Sequence, residues 1–142
     1  MLLRNDEIYL NLIRQIDAEP VIGYLPSYQY AICSSVTDEV MGFIDLRVGY
    51  NENTYYGGNI GYTIREQYRG NHYAGKACLL LFEQAKRFGM TLIIITCNPE
   101  NTASRKTCEY VGGKLEKITD LPPHNEMYKA GERRKCIYRV NL

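Results

Sequence analysis

Residues 59–74 hold the part of the sequence whose residue types are best suited to chemistry. A strand pattern ends near Ile64, a short polar turn follows, and small residues at Gly70 and Ala74 then open a helical pattern. Free backbone N–H groups and the positive end of the helix dipole favour a phosphate at such a helix start. Arg69 adds a positive charge beside it. The same residues also fit an ordinary strand-to-helix turn in which glycine and alanine only permit close packing, because short glycine-containing motifs have low specificity.

Two common nucleotide sites do not fit this segment. The sequence has no G-x-G-x-x-G after an early strand and no acidic residue in the matching ribose position, which argues against a dinucleotide fold. It also has no G-x-x-x-x-G-K-[ST], which argues against a P-loop.

Length and composition predict one globular domain over residues 1–142. The formal net charge of +1 argues against a nucleic-acid partner, which usually requires a strongly basic face. The longest apolar runs, residues 77–82 and 92–95, are too short to span a membrane, and the first residues do not resemble a signal peptide. None of the five cysteines forms a C-x-x-C pair, so we expect reduced thiols and a cytoplasmic protein.

The elements that position the segment form a strand–helix–strand unit. A strand over residues 55–64, a helix over 70–88 and a buried strand over 92–97 predict two parallel strands with a right-handed crossover. Before them, apolar spacing predicts a helix over residues 5–17 and strands over 28–36 and 40–48. After them we expect a helix over 102–111, a loop over 120–132 and a closing antiparallel pair, residues 114–119 and 135–141.

Three motifs in this order resemble the GNAT acetyltransferase superfamily. Residues 69–74, Arg-Gly-Asn-His-Tyr-Ala, are similar to its acetyl-CoA signature Q/R-x-x-G-x-G/A. Residues 98–104 are similar to its N-x-x-A/S segment, and residues 109–113 lie where the family has E-K-L-G-F. The resemblance covers about residues 28–142, with the acetyl-CoA motif at about 58–111, and is strongest to an uncharacterised predicted-acetyltransferase branch.

The resemblance implies an α+β (α/β) fold: a mixed, mostly antiparallel sheet with a central splayed parallel strand pair and flanking helices. It also implies acetyl-CoA as cosubstrate, with no metal, and pantetheine held between the two strands. The cofactor-binding residues it implies are the backbone of Tyr62 and Ile64, the turn residues Arg69, Gly70, Asn71, His72, Tyr73 and Ala74, and Asn101 and Ser104 on the opposite side.

Three features depart from the family pattern. His72 occupies the place of the central glycine, so its ring either helps to hold the phosphates or points away; we favour the second interpretation. Cys108 occupies the place where many members have a tyrosine that protonates the CoA thiolate. The N-terminal part is short, with one predicted helix where relatives have a strand and two helices that wall the acceptor site.

Candidate catalytic groups are fewer and less specific. The backbone N–H near Tyr62 can stabilise an oxyanion, and the Cys108 thiol can donate a proton. Glu52, together with Asp45 and Tyr56, falls near the predicted acceptor side, but spacing singles out none of them. In the late loop, His124, Glu126 and Tyr128 can reach the same region.

The sequence therefore predicts an N-acetyltransferase that moves an acetyl group from acetyl-CoA to a primary amine of a small molecule. Two alternatives stay open: a protein or peptide N-acetyltransferase, and a non-catalytic acyl-CoA-binding module. We expect a monomer or homodimer, with no nucleic-acid or membrane partner.

Overall fold

The computed structural model of the chain describes residues 3–142. Its elements, in chain order, are β1 (Ile8–Ile16), β2 (Ser27–Ser34), β3 (Val40–Arg47), α1 (Glu52–Gly57), β4 (Ile60–Ile64), α2 (Tyr73–Arg87), β5 (Leu92–Cys97), α3 (Thr102–Tyr110), β6 (Lys114–Asp120), α4 (Glu126–Lys129) and β7 (Arg134–Asn141). Short 3-10 turns cover Pro20–Ile22 and Glu66–Tyr68. No helix among these residues has both the length and the apolar character needed to cross a membrane.

The strands form two antiparallel sheets that meet where β4 approaches β5. One sheet has the order β1-β2-β3-β4, and the other has the order β5-β7-β6. In the described part of the chain, the hydrogen bonds that join β5 to the start of β4 are those between Ile94 and Asn59, the residue before β4. Beyond this point β4 and β5 separate. This is the mixed, mostly antiparallel arrangement with a splayed central pair that the sequence predicts.

Helix α2 covers one face of the four-stranded sheet. Its buried residues include Ala77 and Leu81, which belong to the same core cluster as Ile44, Leu46 and Ile60 of β3 and β4. Because side chains alternate along a strand, Phe43, Asp45 and Arg47 project from the opposite face. The sheet therefore has one face packed under a helix and one face that is partly open to solvent.

The prediction of a helix over residues 5–17 is wrong, because this segment forms β1. It pairs with β2 from Ile8↔Ser34 to Ile16↔Ser27, and its register shifts between Leu12 and Arg14. A bulge adds one residue to the strand and shifts the alternation of its side chains between the two faces. Across the bulge the apolar residues therefore do not recur at every second position, and their spacing resembles a helical stripe. The first strand that relatives possess is therefore present, and the connection from β1 to β2 contains only a 3-10 turn among the described residues.

The predicted strand over residues 55–64 is wrong in its first half. Residues 52–57 form α1, whose start is fixed by a capping box in which Asn51 accepts from the Thr54 N–H and Thr54 accepts from the Asn51 N–H. Strand β4 begins only at Ile60, so Tyr56 and Glu52 lie on a helix. The remaining elements lie where the sequence predicts them, except that the loop over 120–132 contains the short helix α4.

Asn59 is the fully buried polar residue that joins the two sheets. Its side-chain amide donates to the carbonyls of Arg47 (3.1 Å) and Gly49 (2.8 Å), and its Oδ1 accepts from the Ile94 N–H (2.9 Å). Its own backbone N–H donates to the Ile94 carbonyl at 2.7 Å. The Asn59 side chain thus connects three segments to the start of β4: strand β3, the turn that follows β3, and strand β5.

We expect Asn59→Ala to lower the free energy of unfolding by about 2–3 kcal/mol, because it leaves buried backbone groups without partners. Urea unfolding followed by circular dichroism measures this change. Asn11→Ala, at an exposed position of β1, is the matched control and should change the value by less than about 0.5 kcal/mol. Equal effects of the two substitutions would contradict the role given to Asn59.

Candidate active site

A cleft of about 520 Å³ lies where β4 separates from the second sheet, between β4 and the helices α2 and α3. Nine of the ten predicted cofactor-binding residues line it: Tyr62, Ile64, Arg69, Gly70, His72, Tyr73, Ala74, Asn101 and Ser104. Asn71 does not; its side-chain amide donates to the carbonyls of Tyr68 and Arg69 and so closes the turn. Sequence reasoning missed Thr63, Tyr68, Ala103 and Thr107, which also line the cleft.

Strand β4 presents unpaired backbone groups to this cleft. In its pairing with β3, Arg47 donates to the Asn59 carbonyl and Arg65 donates to the Met41 carbonyl, so the odd-numbered residues bond to β3. In an antiparallel ladder the intervening residues direct their N–H and C=O groups to the other edge. Tyr62 and Ile64 are such residues, and β4 has no strand partner at that edge in the described chain. The Ile64 carbonyl accepts from the Arg69 side chain, which leaves the Ile64 N–H and both backbone groups of Tyr62 for a ligand.

Helix α2 begins at the cleft without a cap. Its N-cap residue is His72, with φ 60° and no capping side chain, and the first backbone bond of the helix runs from Lys76 to the His72 carbonyl. Within residues 3–142, the N–H groups of residues 70–75 have no hydrogen-bond acceptor. Gly70, His72, Tyr73 and Ala74 of this segment line the cleft, so the positive end of the helix dipole and their free N–H groups are available to a ligand there.

The imidazole of His72 stacks on the ring of Tyr110 from α3. The ring centroids are 4.8 Å apart and the planes are nearly parallel, at 8°. The same tyrosine packs on α2 at Gly75, where a Cβ atom would collide with its ring. The stack fixes the imidazole at the wall of the cleft, and it also explains why a glycine is needed in the first turn of α2.

The opposite wall is built on the start of α3. Asn101 is the N-cap, and its Oδ1 accepts from the Ser104 N–H at 3.1 Å. The Ser104 hydroxyl in turn accepts from the Tyr62 phenol at 3.2 Å, which links β4 to α3. Burial raises the pKa of the Tyr62 phenol, so this group is protonated at neutral pH. Sequence analysis assigned only the backbone of Tyr62, because residue type alone gives no sign of the contact with α3.

Cys108 is fully buried and does not line the cleft. The hydrogen bond with Cys97 and burial raise the pKa of the Cys108 thiol, so its proton is held more tightly than in a free thiol. Its burial away from the cleft and its raised pKa make the Cys108 thiol a weaker proton donor than a cleft residue with an ordinary pKa.

A second cleft, which we call the β-face cleft, lies on the open face of the four-stranded sheet and has a volume of about 440 Å³. Its lining residues are Ile13, Gln29, Phe43, Ile44, Asp45, Gly61, Tyr62 and Thr63. Tyr62 and Thr63 line both this cleft and the cleft beside α2. The two clefts therefore approach the same short stretch of β4 from opposite sides.

Glu52 lies away from both clefts. It is the first residue of α1, and its Oε1 is 2.7 Å from the Nε2 of His124 in the segment before α4. Both side chains are exposed. This contact ties α1 to the late loop, and Glu52 lines neither of the two clefts.

The family model described as acetyltransferase (GNAT) domain matches residues 9–114, about three quarters of the chain. No curated protein sequence matches the chain significantly. Among solved structures, 127 chains match.

Three solved structures illustrate the likeness. An acetyltransferase of the GNAT family from Bacillus anthracis is 23% identical, has a TM-score of 0.64 and is matched over 80% of this chain and 65% of that one. The microcin C7 self-immunity acetyltransferase MccE, solved with acetyl-CoA and AMP, is 19% identical, with a TM-score of 0.65 and coverage of 82% and 61%. RimL, a ribosomal L7/L12 alpha-N-protein acetyltransferase solved with coenzyme A, is 14% identical, with a TM-score of 0.72 and coverage of 100% and 98%.

At these identities the three structures show a shared fold. The chain spans somewhat less than two thirds of the length of the Bacillus anthracis acetyltransferase and of MccE. The family match extends from the second residue of β1 to the first residue of β6 and so contains β4, α2 and α3, which form the cleft. The chain belongs to the GNAT family of acetyltransferases.

Proposed function

We propose that this chain is an acetyl-CoA-dependent N-acetyltransferase that acetylates a primary amine of a small molecule. The observation that carries the proposal is the cleft between β4, α2 and α3, into which an uncapped helix start and an unpaired strand edge both direct free backbone groups. A phosphate-bearing ligand with an amide-containing arm fits these two features.

The residues present fit the pyrophosphate and the pantetheine arm of acetyl-CoA. The N–H groups at the start of α2 would hold the pyrophosphate, with the charge of Arg69 beside them. The Arg69 Nε donates to the Ile64 carbonyl at 3.0 Å, which fixes the guanidinium at the end of β4. The N–H and C=O of Tyr62 and the N–H of Ile64 would pair with the pantetheine amides as an added strand does. Asn101 and Ser104 would contact the arm from α3.

Acetyl-CoA supplies an activated acetyl thioester. In the transfer, the neutral amine nitrogen forms a C–N bond to the acetyl carbon, the C–S bond breaks and the electron pair leaves on sulfur. The amine nitrogen loses one proton and the sulfur takes up one, which gives the amide and coenzyme A. The Tyr62 N–H is available to stabilise negative charge on the acetyl oxygen. The walls of the cleft hold the thioester at the stretch of β4 that the β-face cleft also reaches, so positioning supplies a large part of the rate.

Two observations bear on the acceptor. The β-face cleft, at about 440 Å³, has the size of a small-molecule site. The connection between β1 and β2 holds only a 3-10 turn, and Ile13 and Phe43 of the β-face cleft are exposed, which favours the second candidate function, acetylation of a protein N-terminus. RimL, a structural neighbour, bears the name of a protein acetyltransferase.

A thiol-release screen with acetyl-CoA separates these functions. It compares simple amines, polyamines, aminoglycosides and peptide N-termini under the same conditions. Turnover with a small amine supports the proposal, and turnover with peptides alone supports the second candidate. Stoichiometric binding of acetyl-CoA without turnover on any acceptor would indicate a non-catalytic acyl-CoA-binding module.

We predict that acetyl-CoA binds saturably in isothermal calorimetry and that a chelator leaves the affinity unchanged. Arg69→Ala should weaken binding about tenfold, because a charged contact to phosphate contributes more than a neutral hydrogen bond. Arg87→Ala, at the exposed far end of α2, is the matched control and should leave the affinity unchanged. Absence of binding by the wild type at millimolar acetyl-CoA would refute the proposed function.

His72→Gly should leave acetyl-CoA affinity unchanged or slightly increase it. Glycine adopts the left-handed backbone conformation of this position without strain, and the backbone N–H is retained. Calorimetry at two pH values measures the effect. A loss of about tenfold or more that grows as the pH is lowered would instead show that the charged imidazole contacts phosphate.

Cys108→Ala should lower kcat by less than about tenfold, below the share of a true general acid. The thiol is buried away from the cleft, and a raised pKa makes it a weak acid. Cys78→Ala is the matched control, because Cys78 is equally buried in α2 and burial raises its pKa to about 12. Loss of turnover in Cys108→Ala alone, with folding and acetyl-CoA binding intact, would make the thiol catalytic.

A further inference from the structure

Asp45 is the charged residue of the β-face cleft. It lies on β3 directly opposite Gly61 of β4, the residue before Tyr62. A Cβ atom at Gly61 would be 2.8 Å from the Asp45 Oδ1, so the carboxylate lies against the backbone of β4. Glycine at position 61 thus leaves room for a carboxylate beside the stretch of β4 that both clefts share.

One oxygen of this carboxylate is held in place. The Asp45 Oδ2 forms an ion pair with the Arg47 Nη2 at 3.2 Å. The same guanidinium donates from Nη1 to the carbonyls of Gly57 (3.2 Å) and Gly58 (2.7 Å), at the end of α1. Arg47 is therefore anchored to the backbone on one side and orients Asp45 on the other.

The other oxygen, Oδ1, lies beside Gly61 and has no hydrogen-bond donor among residues 3–142, and the Asp45 residue lines the cleft. The Asp45 side chain is only 26% exposed. Burial raises the pKa of the carboxyl, and the nearby guanidinium offsets this effect only in part. A carboxylate that is largely shielded from water and has one oxygen without a donor gains by binding a cation.

The rest of the lining is uncharged and contains large apolar surfaces. The side chains of Ile13 and Phe43 are 52% and 42% exposed on the same face. Gln29 lies opposite Asp45 on β2 and is the polar neighbour. An occupant with one positive charge and an apolar body matches this surface. The neighbouring Arg47 is already paired with Asp45 and with the carbonyls of Gly57 and Gly58, so an added carboxylate would gain little from Arg47 and would be repelled by Asp45.

We propose that Asp45 binds the ammonium group of the acceptor through Oδ1, and that the acceptor is a primary amine with an apolar body and no carboxylate beside the amine. This inference rests on the proposed function, since it assigns the β-face cleft to the acceptor. It places the amine nitrogen next to Gly61 and Tyr62, on the other side of β4 from the acetyl-CoA cleft.

The test measures binding of 2-phenylethylamine to the protein saturated with coenzyme A, by calorimetry. Asp45→Asn should weaken binding at least tenfold, because it removes the charge and keeps the shape. Asp38→Asn is the matched control: Asp38 lies in the turn between β2 and β3, and asparagine tolerates its positive φ of 63°. It should change the affinity by less than twofold.

A comparison on the wild type needs no variant and so does not depend on folding of Asp45→Asn. Phenylalanine differs from 2-phenylethylamine by its carboxylate and should bind at least tenfold more weakly. Equal binding of the two, absence of amine binding at 10 mM, or unchanged binding in a folded Asp45→Asn variant would each overturn the proposal. Acetyl-CoA affinity, measured separately on the same samples, reports on the proposed function and should be equal in all variants.

Discussion

The architecture depends on the amide of one buried asparagine. Asn59 occupies the position where β4 would continue its pairing with β3, and it uses its side chain to make bonds that a regular strand would make with its backbone. Its backbone N–H is thereby free to bond to Ile94 of the second sheet. A buried amide with all its partners satisfied fixes one geometry, whereas an apolar residue would leave the junction of the sheets undefined.

The separation of β4 from β5 creates the functional surfaces on both sides. Had the two strands remained paired, the backbone groups of Tyr62 and Ile64 would have been consumed by the sheet. Because they are not, one edge of β4 faces a cleft with a helix start, and the opposite face of the same strand carries Gly61 beside a carboxylate. The cosubstrate and the acceptor can thus approach one short stretch of backbone from two sides.

The sequence was sufficient for the strand–helix–strand unit because its motifs are local. The small residues of the turn and the continuous apolar strand are recognised from residues next to one another in the sequence. The prediction of a helix over residues 5–17 is wrong for the opposite reason. Pairing with β2 and a bulge near Leu12 determine the structure of this segment, and both depend on residues far along the chain. The contacts of Tyr62 with Ser104 and of His72 with Tyr110 each join different elements, so no spacing rule could have predicted them.

All five cysteine side chains are buried. A thiol reagent in solution therefore meets almost no reactive sulfur on the folded protein, and colour that develops during turnover comes from released coenzyme A. Unfolding would expose five thiols at once. The same reagent can thus report catalysis under native conditions and the intactness of the fold under denaturing ones, in a single cuvette.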